Sequence, residues 1–378
     1  MSNVARLAIL GLIGASLGLG VAFVLLRPSD ASARLVALTT QQPENTGKDQ
    51  MRHTTAEGAV AGHAEVHSIS RSAFDVTPLG PERVQQLAAK LTEDEARVIL
   101  KKGTEPAFCG TLVDNHKQGT YVCRLCHLPL FSSGTKFDSG TGWPSFFAPY
   151  DPQHVSYERD SGLGMERVEI LCARCHGHLG HVFDDAPGTP TGLRYCLNSA
   201  SLEFVEDGTA LPGDAGQIAT QKAYFAGGCF WGTEDRFQQV PGVVNVVSGY
   251  QGGRAQEPTY KQVCYEDTGH AESVEVTFDP SVVSYAQLLD YFFKFHNPTT
   301  LNRQGPDVGE QYRSAIFAVD QAQYDAAKAC IAELSKLEKF QKKPIVTKVE
   351  MFAPFYPAEA YHQDYHERNG GHCPIDVE

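Results

Sequence analysis

The sequence lacks an excess of positive charge. Its 32 lysines and arginines stand against 45 aspartates and glutamates, a formal net charge of -13 at neutral pH. A phosphate-binding surface needs a basic stripe, so nucleic acid is excluded as a partner. Cysteine is too sparse for a disulfide scaffold: ten in 378 residues do not staple a chain of this size, although they suffice for chemistry or metal. No internal repeat is visible, and the two halves look unlike each other. Hydrophobic residues make up 42%, enough for a sizeable core, and the length calls for two or three domains.

One stretch lacks charge altogether. "LAILGLIGASLGLGVAFVLL", Leu7 to Leu26, runs for twenty residues between Arg6 and Arg27. As a helix it spans about 30 Å, the hydrocarbon thickness of a bilayer. Residues 1–34 are therefore expected to be a membrane anchor. The competing reading is a secretory signal peptide, with "ASA" at 31–33 as its cleavage site. Either way the body of the chain is expected to cross the membrane, because the N-terminal tip carries Arg6 and few competing charges follow. Residues 35–72, rich in Thr, Gln, Ala, Gly, Glu and His with no apolar period, read as a flexible linker.

Beyond it, Thr92 is expected to cap a helix with Glu93 and Glu95 in its first turn. Within a domain expected over residues 73–207, the stretch from 119 to about 206 becomes strand-like: "GTYVCRLC", "HVSYERD", "MERVEILC" and "LRYCLNSASLEFV" are short, rich in Val, Tyr and Ile, and punctuated by Gly, Pro and Asp. A mainly-β domain of antiparallel sheets is expected. Residues 208–220 have linker composition. From 221 to 378 strand and helix signals mix: "KAYFAGG" leads into helical "FWGTEDRFQQV", "SVEVTF" is a strand, and "YAQLLDYFFKFH" and "QYDAAKACIAELSKLEKF" are amphipathic. This half reads as an α+β two-layer sandwich, making the chain multidomain behind an N-terminal transmembrane helix.

Two groups of residues carry chemistry. Cys123 and Cys126 form one C-x2-C pair and Cys172 and Cys175 another, with 45 residues between the pairs. Two matched knuckles suit a tetrahedral four-cysteine zinc site, which would staple two hairpins and leave no open position for catalysis. Two redox pairs, or four buried thiols, are the alternatives. Downstream, Arg194, Cys196 and Asn198 alternate along "LRYCLNSASL", so on a strand a cation and an amide share one face with the thiol. A neighbouring cation lowers a thiol pKa, and Cys196 is expected to ionise easily. His178 and His181 in "GHLGHVF" and Trp143 in "GTGWPSF" would be unremarkable singly.

The second group surrounds "GGCFWG" at 227–232. A cysteine in an apolar stretch is ordinarily a buried bystander. Here a strand ending at Gly228 and a helix beginning near Phe230 would put Cys229 at a helix N-terminus, where unpaired N–H groups and the dipole stabilise a thiolate. Phe230 and Trp231 would form an apolar wall. Glu272 in "TGHAESVEV", ahead of a strand, would have a raised pKa if buried against that wall, and so could act as an acid. Tyr260, Asp307 and Tyr312 lie in "PTYKQVC" and "GPDVGEQYRSAI".

"TKFDSGTGWPSFF", "CARCHGHLGHVFDDAP" and "LRYCLNSASL" together closely resemble zinc-containing methionine sulfoxide reductase B, over roughly residues 75–207. The resemblance implies Cys196 as nucleophile, with His178, His181, Arg194 and Asn198 shaping the site and handling protons and Trp143 packing on the substrate methyl. Many members carry a resolving cysteine where this chain has Thr141. A subset uses one at the position of Cys109, the unassigned cysteine of this half, and Cys109 is expected to resolve. "GGCFWGTED", "PTYKQVC", "TGHAE", "QYRSAI" and "HQDY" closely resemble methionine sulfoxide reductase A, over roughly 221–378. That resemblance implies Cys229 as nucleophile and Glu272 as proton donor. Tyr260 and Tyr312 would bind the sulfoxide oxygen with support from Asp307, and Phe230 and Trp231 would hold the methyl. Cys373 in "ERNGGHCPID" would resolve, leaving Cys264 and Cys330 as structural thiols.

The implied activity is reduction of methionine sulfoxide in oxidised proteins or peptides, the B-type half taking the R epimer and the A-type half the S epimer. Zinc is the implied structural metal, with no organic cofactor. No thioredoxin-like segment exists in the chain, so a thioredoxin-like reductant or a membrane electron carrier is expected to reopen the disulfides. The expected location is a bacterial inner membrane, single-pass and facing the periplasm, or the periplasm itself if the signal is clipped.

Overall fold

Thr92 starts the second helix of the described chain. Its hydroxyl accepts the Glu95 N–H at 3.3 Å while the Glu95 carboxylate accepts the Thr92 N–H at 2.8 Å. This reciprocal cap opens helix α2 (Glu93–Leu100), which follows α1 (Pro81–Ala88) and buries Val98 and Ile99. The computed structural model describes residues 68–371; the apolar run Leu7–Leu26, most of the linker and Cys373 lie outside them. Among the described residues no helix is long and apolar enough to cross a membrane.

Nine strands follow: β1 (Gly119–Cys123), β2 (Pro129–Ser132), β3 (Lys136–Phe137), β4 (Ser145–Phe146), β5 (Val155–Asp160), β6 (Arg167–Cys172), β7 (His178–Ala186), β8 (Gly192–Leu197) and β9 (Leu202–Glu206). They form a three-stranded sheet, β2-β1-β9, and a six-stranded sheet, β3-β4-β8-β7-β6-β5. Each pairing within them is antiparallel. The aromatic rings of Tyr121, Phe131, Phe146 and Tyr195 meet between the sheets and fill one core.

The second half is built on β10 (Gln221–Gly227), α3 (Phe230–Gln238), β11 (Val243–Gln251), α4 (Tyr260–Tyr265), β12 (Ala271–Phe278) and α5 (Tyr285–Phe295). It continues through β13 (Arg303–Gln304), β14 (Asp307–Val308), β15 (Ser314–Ala318), α6 (Gln321–Leu334), α7 (Glu338–Lys342), β16 (Lys348–Met351), β17 (Tyr356–Pro357) and α8 (Tyr365–Asn369). Six strands make one sheet in the order β16-β15-β10-β12-β11-β17, antiparallel except for the parallel pair β15/β16. Alternation in β10 sends Ala223 and Phe225 to a core shared with Phe237 of α3 and Leu288, Leu289 and Phe292 of α5. Tyr224 and Ala226 face the other side, where Phe355 covers them instead of a helix. Strand β10 is thus buried on both faces, and its end is a rigid place from which to present a side chain.

Thr92→Ala removes one half of the reciprocal cap. It is expected to lower the stability of the first domain by about 1 kcal/mol in a urea titration; an unchanged midpoint would show that α2 is held by packing alone.

Candidate active sites

Cys196 lies in β8 between two neighbours that face it across the sheet. Ser145 of β4 is its partner on one side and His181 of β7 on the other. Directly opposed residues have Cβ atoms about 5 Å apart on one face, so the sulfur, a hydroxyl and an imidazole are brought together. His178 and His181 are three residues apart, and a regular strand would point them to opposite faces. The register of β6 against β7 shifts between Ile170 and Leu171, because β7 fits one additional residue between His178 and Gly180. The bulge turns both rings inward, with centroids 5.6 Å apart.

Each histidine is held by an acid that sequence reading did not select. His178 Nδ1 pairs with Glu169 Oε1 at 2.7 Å, and His181 Nε2 with Asp160 Oδ2 at 2.8 Å. Burial works against the Glu169 anion, but His178 and Lys102 outweigh it and hold its carboxyl below the usual range. The Gly162 N–H, then His181, bring Asp160 down to about 2. Burial pushes the His181 imidazole down in spite of Asp160.

Two expectations around the thiol need correction. Arg194 is bound by both carboxylate oxygens of Asp185, at 2.8 and 2.6 Å, and lies 4.4 Å over the Phe183 ring. Its charge and the hydroxyl of Thr141 do pull the Cys196 thiol down, but burial is stronger and the net direction is up. Asn198 lies past the end of β8. Its amide donates to the Leu179 carbonyl at 3.1 Å and accepts the Glu105 N–H at 2.9 Å, so its hydrogen bonds brace backbone segments. Thr141, noted in the sequence for the cysteine it replaces, belongs to a hydroxyl chain: its Oγ1 is 2.9 Å from Ser139 Oγ, itself 2.7 Å from Ser145 Oγ.

Trp143 is half-buried, its indole N–H donating to the Glu105 carbonyl at 3.1 Å. Cys109 is exposed on the loop that begins at Glu105, and the preceding Phe108 N–H donates to the Gly142 carbonyl at 2.8 Å. The loop therefore lies against the Thr141–Trp143 turn. Elsewhere in the domain the sulfurs of Cys123, Cys126, Cys172 and Cys175 are buried and all within 4.8 Å of one another. Two separations, Cys123–Cys175 and Cys126–Cys172, are 3.6 Å. A tetrahedron with metal–sulfur bonds of about 2.3 Å has edges of about 3.8 Å. The cluster can hold a zinc ion, and no disulfide joins its members.

In the second domain Cys229 is half-buried at the N-cap of α3. Gly228 before it has φ +100°, and a Cβ there would lie 2.5 Å from Gln304 Cγ, so glycine is required at this turn. Glu272 is 1% exposed. It lies within β12 instead of ahead of it, and its Oε2 accepts the Phe230 N–H at 3.0 Å. A buried carboxylate therefore sits at the first turn of the helix that Cys229 caps.

The other predicted residues converge on the same corner. Burial, followed by the nearby Glu272, Cys264, Asp307 and Cys229, raises the Tyr312 phenol. Burial and the Cys264 thiol raise that of Tyr260, with Glu272 and Tyr312 adding to the effect. Asp307 is raised by burial alone. Phe230 is only 1% exposed, sealed by Tyr250, Tyr260 and His362, so its ring backs the wall instead of facing solvent. The accessible part is Trp231, stacked on Tyr365 at 3.7 Å with its indole N–H donated to His362 Nδ1 at 3.1 Å. His362 and Tyr365 belong to "HQDY", which sequence reading used as a motif without giving either residue a role. Cys264, read as structural, is a half-buried thiol one turn along α4 from Tyr260 and bonded to its phenol.

Residues 91–206 match the family described as the SelR domain, and residues 221–378 match the family described as peptide methionine sulfoxide reductase. The first half is similar to "Peptide methionine sulfoxide reductase MsrB" of Xylella fastidiosa (strain M23), 56% identical over 139 residues, covering 37% of this chain and 89% of the relative. The second is similar to "Peptide methionine sulfoxide reductase MsrA" of Methanosarcina acetivorans, 58% identical over 150 residues, covering 40% of this chain and 79% of the relative. A solved structure, methionine sulfoxide reductase A of Corynebacterium diphtheriae, aligns with a TM-score of 0.40 at 36% identity, covering 42% of this chain and 80% of that one.

Because burial dominates at Cys196, its alkylation by iodoacetamide is expected to rise with pH through a midpoint above that of an ordinary thiol. Thr141→Val and Arg194→Met each remove a stabiliser of the thiolate and should move the midpoint further up. A midpoint below the ordinary thiol range, followed by mass spectrometry of the labelled peptide, would contradict the dominance of burial.

Proposed function

The chain belongs to the peptide methionine sulfoxide reductases, an MsrB domain followed by an MsrA domain, and from that premise we propose that each domain reduces one epimer of methionine sulfoxide at its own cysteine. The observation that carries the reading is the corner at the start of α3, where the buried Glu272 side chain accepts the N–H of Phe230, the residue next to the N-cap thiol Cys229. A sulfoxide has a nucleophile-accepting sulfur and a basic oxygen. Glu272 takes up the Cys229 proton and, as the sulfur of Cys229 attacks the sulfoxide sulfur, passes it to the oxygen, with the phenols of Tyr260 and Tyr312 bound to that oxygen and Asp307 in support. The sulfur–oxygen bond is handed from substrate to enzyme: methionine leaves and Cys229 becomes a sulfenic acid. Trp231, clamped by Tyr365 and His362, faces the substrate methyl, with Phe230 behind it.

In the first domain Cys196 carries out the same displacement. Burial holds it as a thiol at rest, so its proton must leave as substrate binds. His181, across the sheet from it, and His178 beside His181 are the proton carriers, oriented by Asp160 and Glu169. Trp143 packs on the methyl. Cys123, Cys126, Cys172 and Cys175 would hold a structural zinc ion, which supplies folding stability and takes no part in this chemistry. A thiol then condenses with each sulfenic acid, forming an S–S bond and releasing water: Cys109 on Cys196, Cys373 on Cys229. Each disulfide takes two electrons from an external dithiol of the thioredoxin type, or from a membrane carrier of equivalent chemistry. Two separate sites serve two mirror-image sulfoxides, R for the first domain and S for the second. The uncharged run Leu7–Leu26 would tether both to a bacterial inner membrane on its periplasmic side, with oxidised proteins or peptides as substrates.

Cys229→Ser is expected to abolish reduction of the S epimer and leave the R epimer intact, with Cys196→Ser doing the reverse. Glu272→Gln should slow S-epimer turnover about 100-fold, the scale of a lost general acid. Chiral chromatography of dabsylated methionine sulfoxide reads both; loss of both activities from one cysteine change would refute independent sites.

A further inference from the structure

Glu105 touches neither reactive sulfur, yet it ties together three segments around one of them. Its N–H donates to Asn198 Oδ1 at 2.9 Å, and its carbonyl accepts the Trp143 indole N–H at 3.1 Å. One carboxylate oxygen accepts the Ser199 N–H at 2.6 Å and the other the Ala200 N–H at 3.0 Å. Those two amides open the 3-10 turn Ser199–Ser201 that follows Cys196 and its strand. The side chain thus supplies two charge-assisted bonds to donors that the turn cannot satisfy itself.

The same loop carries Cys109 four residues on. Past Cys109 it returns to the same turn: the Leu112 N–H reaches Ser199 Oγ at 3.4 Å. Gly110 packs so tightly there that a Cβ would lie 2.1 Å from Ser199 Oγ and 2.6 Å from Glu105 Oε1. Phe108, φ +63°, is held in a left-handed conformation costly for a bulky residue, its N–H on the Gly142 carbonyl. An exposed thiol is thereby fixed at both flanks against the segments that bracket Cys196, although the loop has no regular secondary structure between Gly103 and Gly110.

We infer that Glu105 is a positioning residue for the resolving step, holding the Cys109 loop where its thiol can reach the oxidised Cys196. The inference rests on the reading of Cys109 as the resolving thiol. In that step the Cys109 sulfur attacks the Cys196 sulfenic sulfur. An S–S bond forms, the S–O bond breaks, and the hydroxyl leaves as water with the Cys109 proton. Attack within one molecule depends on the fraction of time the two sulfurs are in reach, and a loosened loop lowers it. The first displacement uses Cys196, the histidines and Trp143, and does not use the Glu105 carboxylate.

The test is single-turnover chemistry on the full chain carrying Cys229→Ser, with R-epimer substrate. Released methionine reads the first step; dimedone trapping of the sulfenic acid and loss of free thiols, both by mass spectrometry, read the second. Glu105→Ala is expected to slow disulfide formation about tenfold or more, the factor that accompanies loss of a charge-assisted hydrogen bond, while methionine release slows far less. Glu105→Gln, which keeps an acceptor oxygen, should fall between. Disulfide formation at the wild-type rate in Glu105→Ala, or equal slowing of both steps, would overturn the inference. Cys109→Ser separates the two readings: if it still forms a disulfide and cycles normally, the assignment of Cys109 fails by itself, whatever Glu105 does.

Discussion

Four buried sulfurs of the first domain lie close enough together to share one zinc ion, and its reactive corner is built beside them. Cys123 ends β1 in one sheet and Cys172 ends β6 in the other, with Cys126 and Cys175 in the turns that follow. β7 begins three residues after Cys175, and its bulge directs His178 and His181 to one face. β8 is laid on β7, which puts Cys196 opposite His181. A structural zinc in such a cluster contributes folding free energy of about 10–16 kcal/mol, comparable to the whole stability of a typical domain. Register in this sheet, and with it the catalytic geometry, would then depend on the metal although no substrate touches it.

The second domain reaches a similar corner with no candidate metal cluster among its described residues. Strand β10, buried on both faces, ends in a glycine turn with no room for a side chain, and the helix that follows presents its first N–H groups beside Cys229. Both domains obey one requirement. On the proposed mechanism the sulfur must be dry enough to hold an apolar methyl beside it, and a proton-carrying group must be fixed within reach. Drying the site opposes ionisation, which is the price paid at Cys196.

Much of this was legible in the chain. The paired C-x2-C knuckles, the glycine-bounded Cys229 and the Thr92 cap are local features, and local geometry follows from spacing. Alternating Arg194, Cys196 and Asn198 suggested a shared face, yet β8 stops at Leu197 and Asn198 turns to the backbone. The cation beside Cys196 is visible in sequence and does favour its thiolate, whereas the burial that sets the net direction is not visible there. Asp160, Glu169 and Glu105 carried no local signal: each meets its partner across a strand pairing or a loop return, 21, 9 and 94 positions away. Their roles depend on register, which one bulged residue in β7 resets.

The most direct test is to strip metal from the full chain with a chelator under reducing conditions. Metal analysis and both epimer activities are then followed in the same sample. One zinc per chain should be released, with loss of R-epimer reduction and of the first domain's cooperative unfolding, while S-epimer reduction persists. A metal-free chain that keeps its R-epimer activity and an unaltered first-domain transition would contradict the dependence of the Cys196 site on the four-sulfur tie.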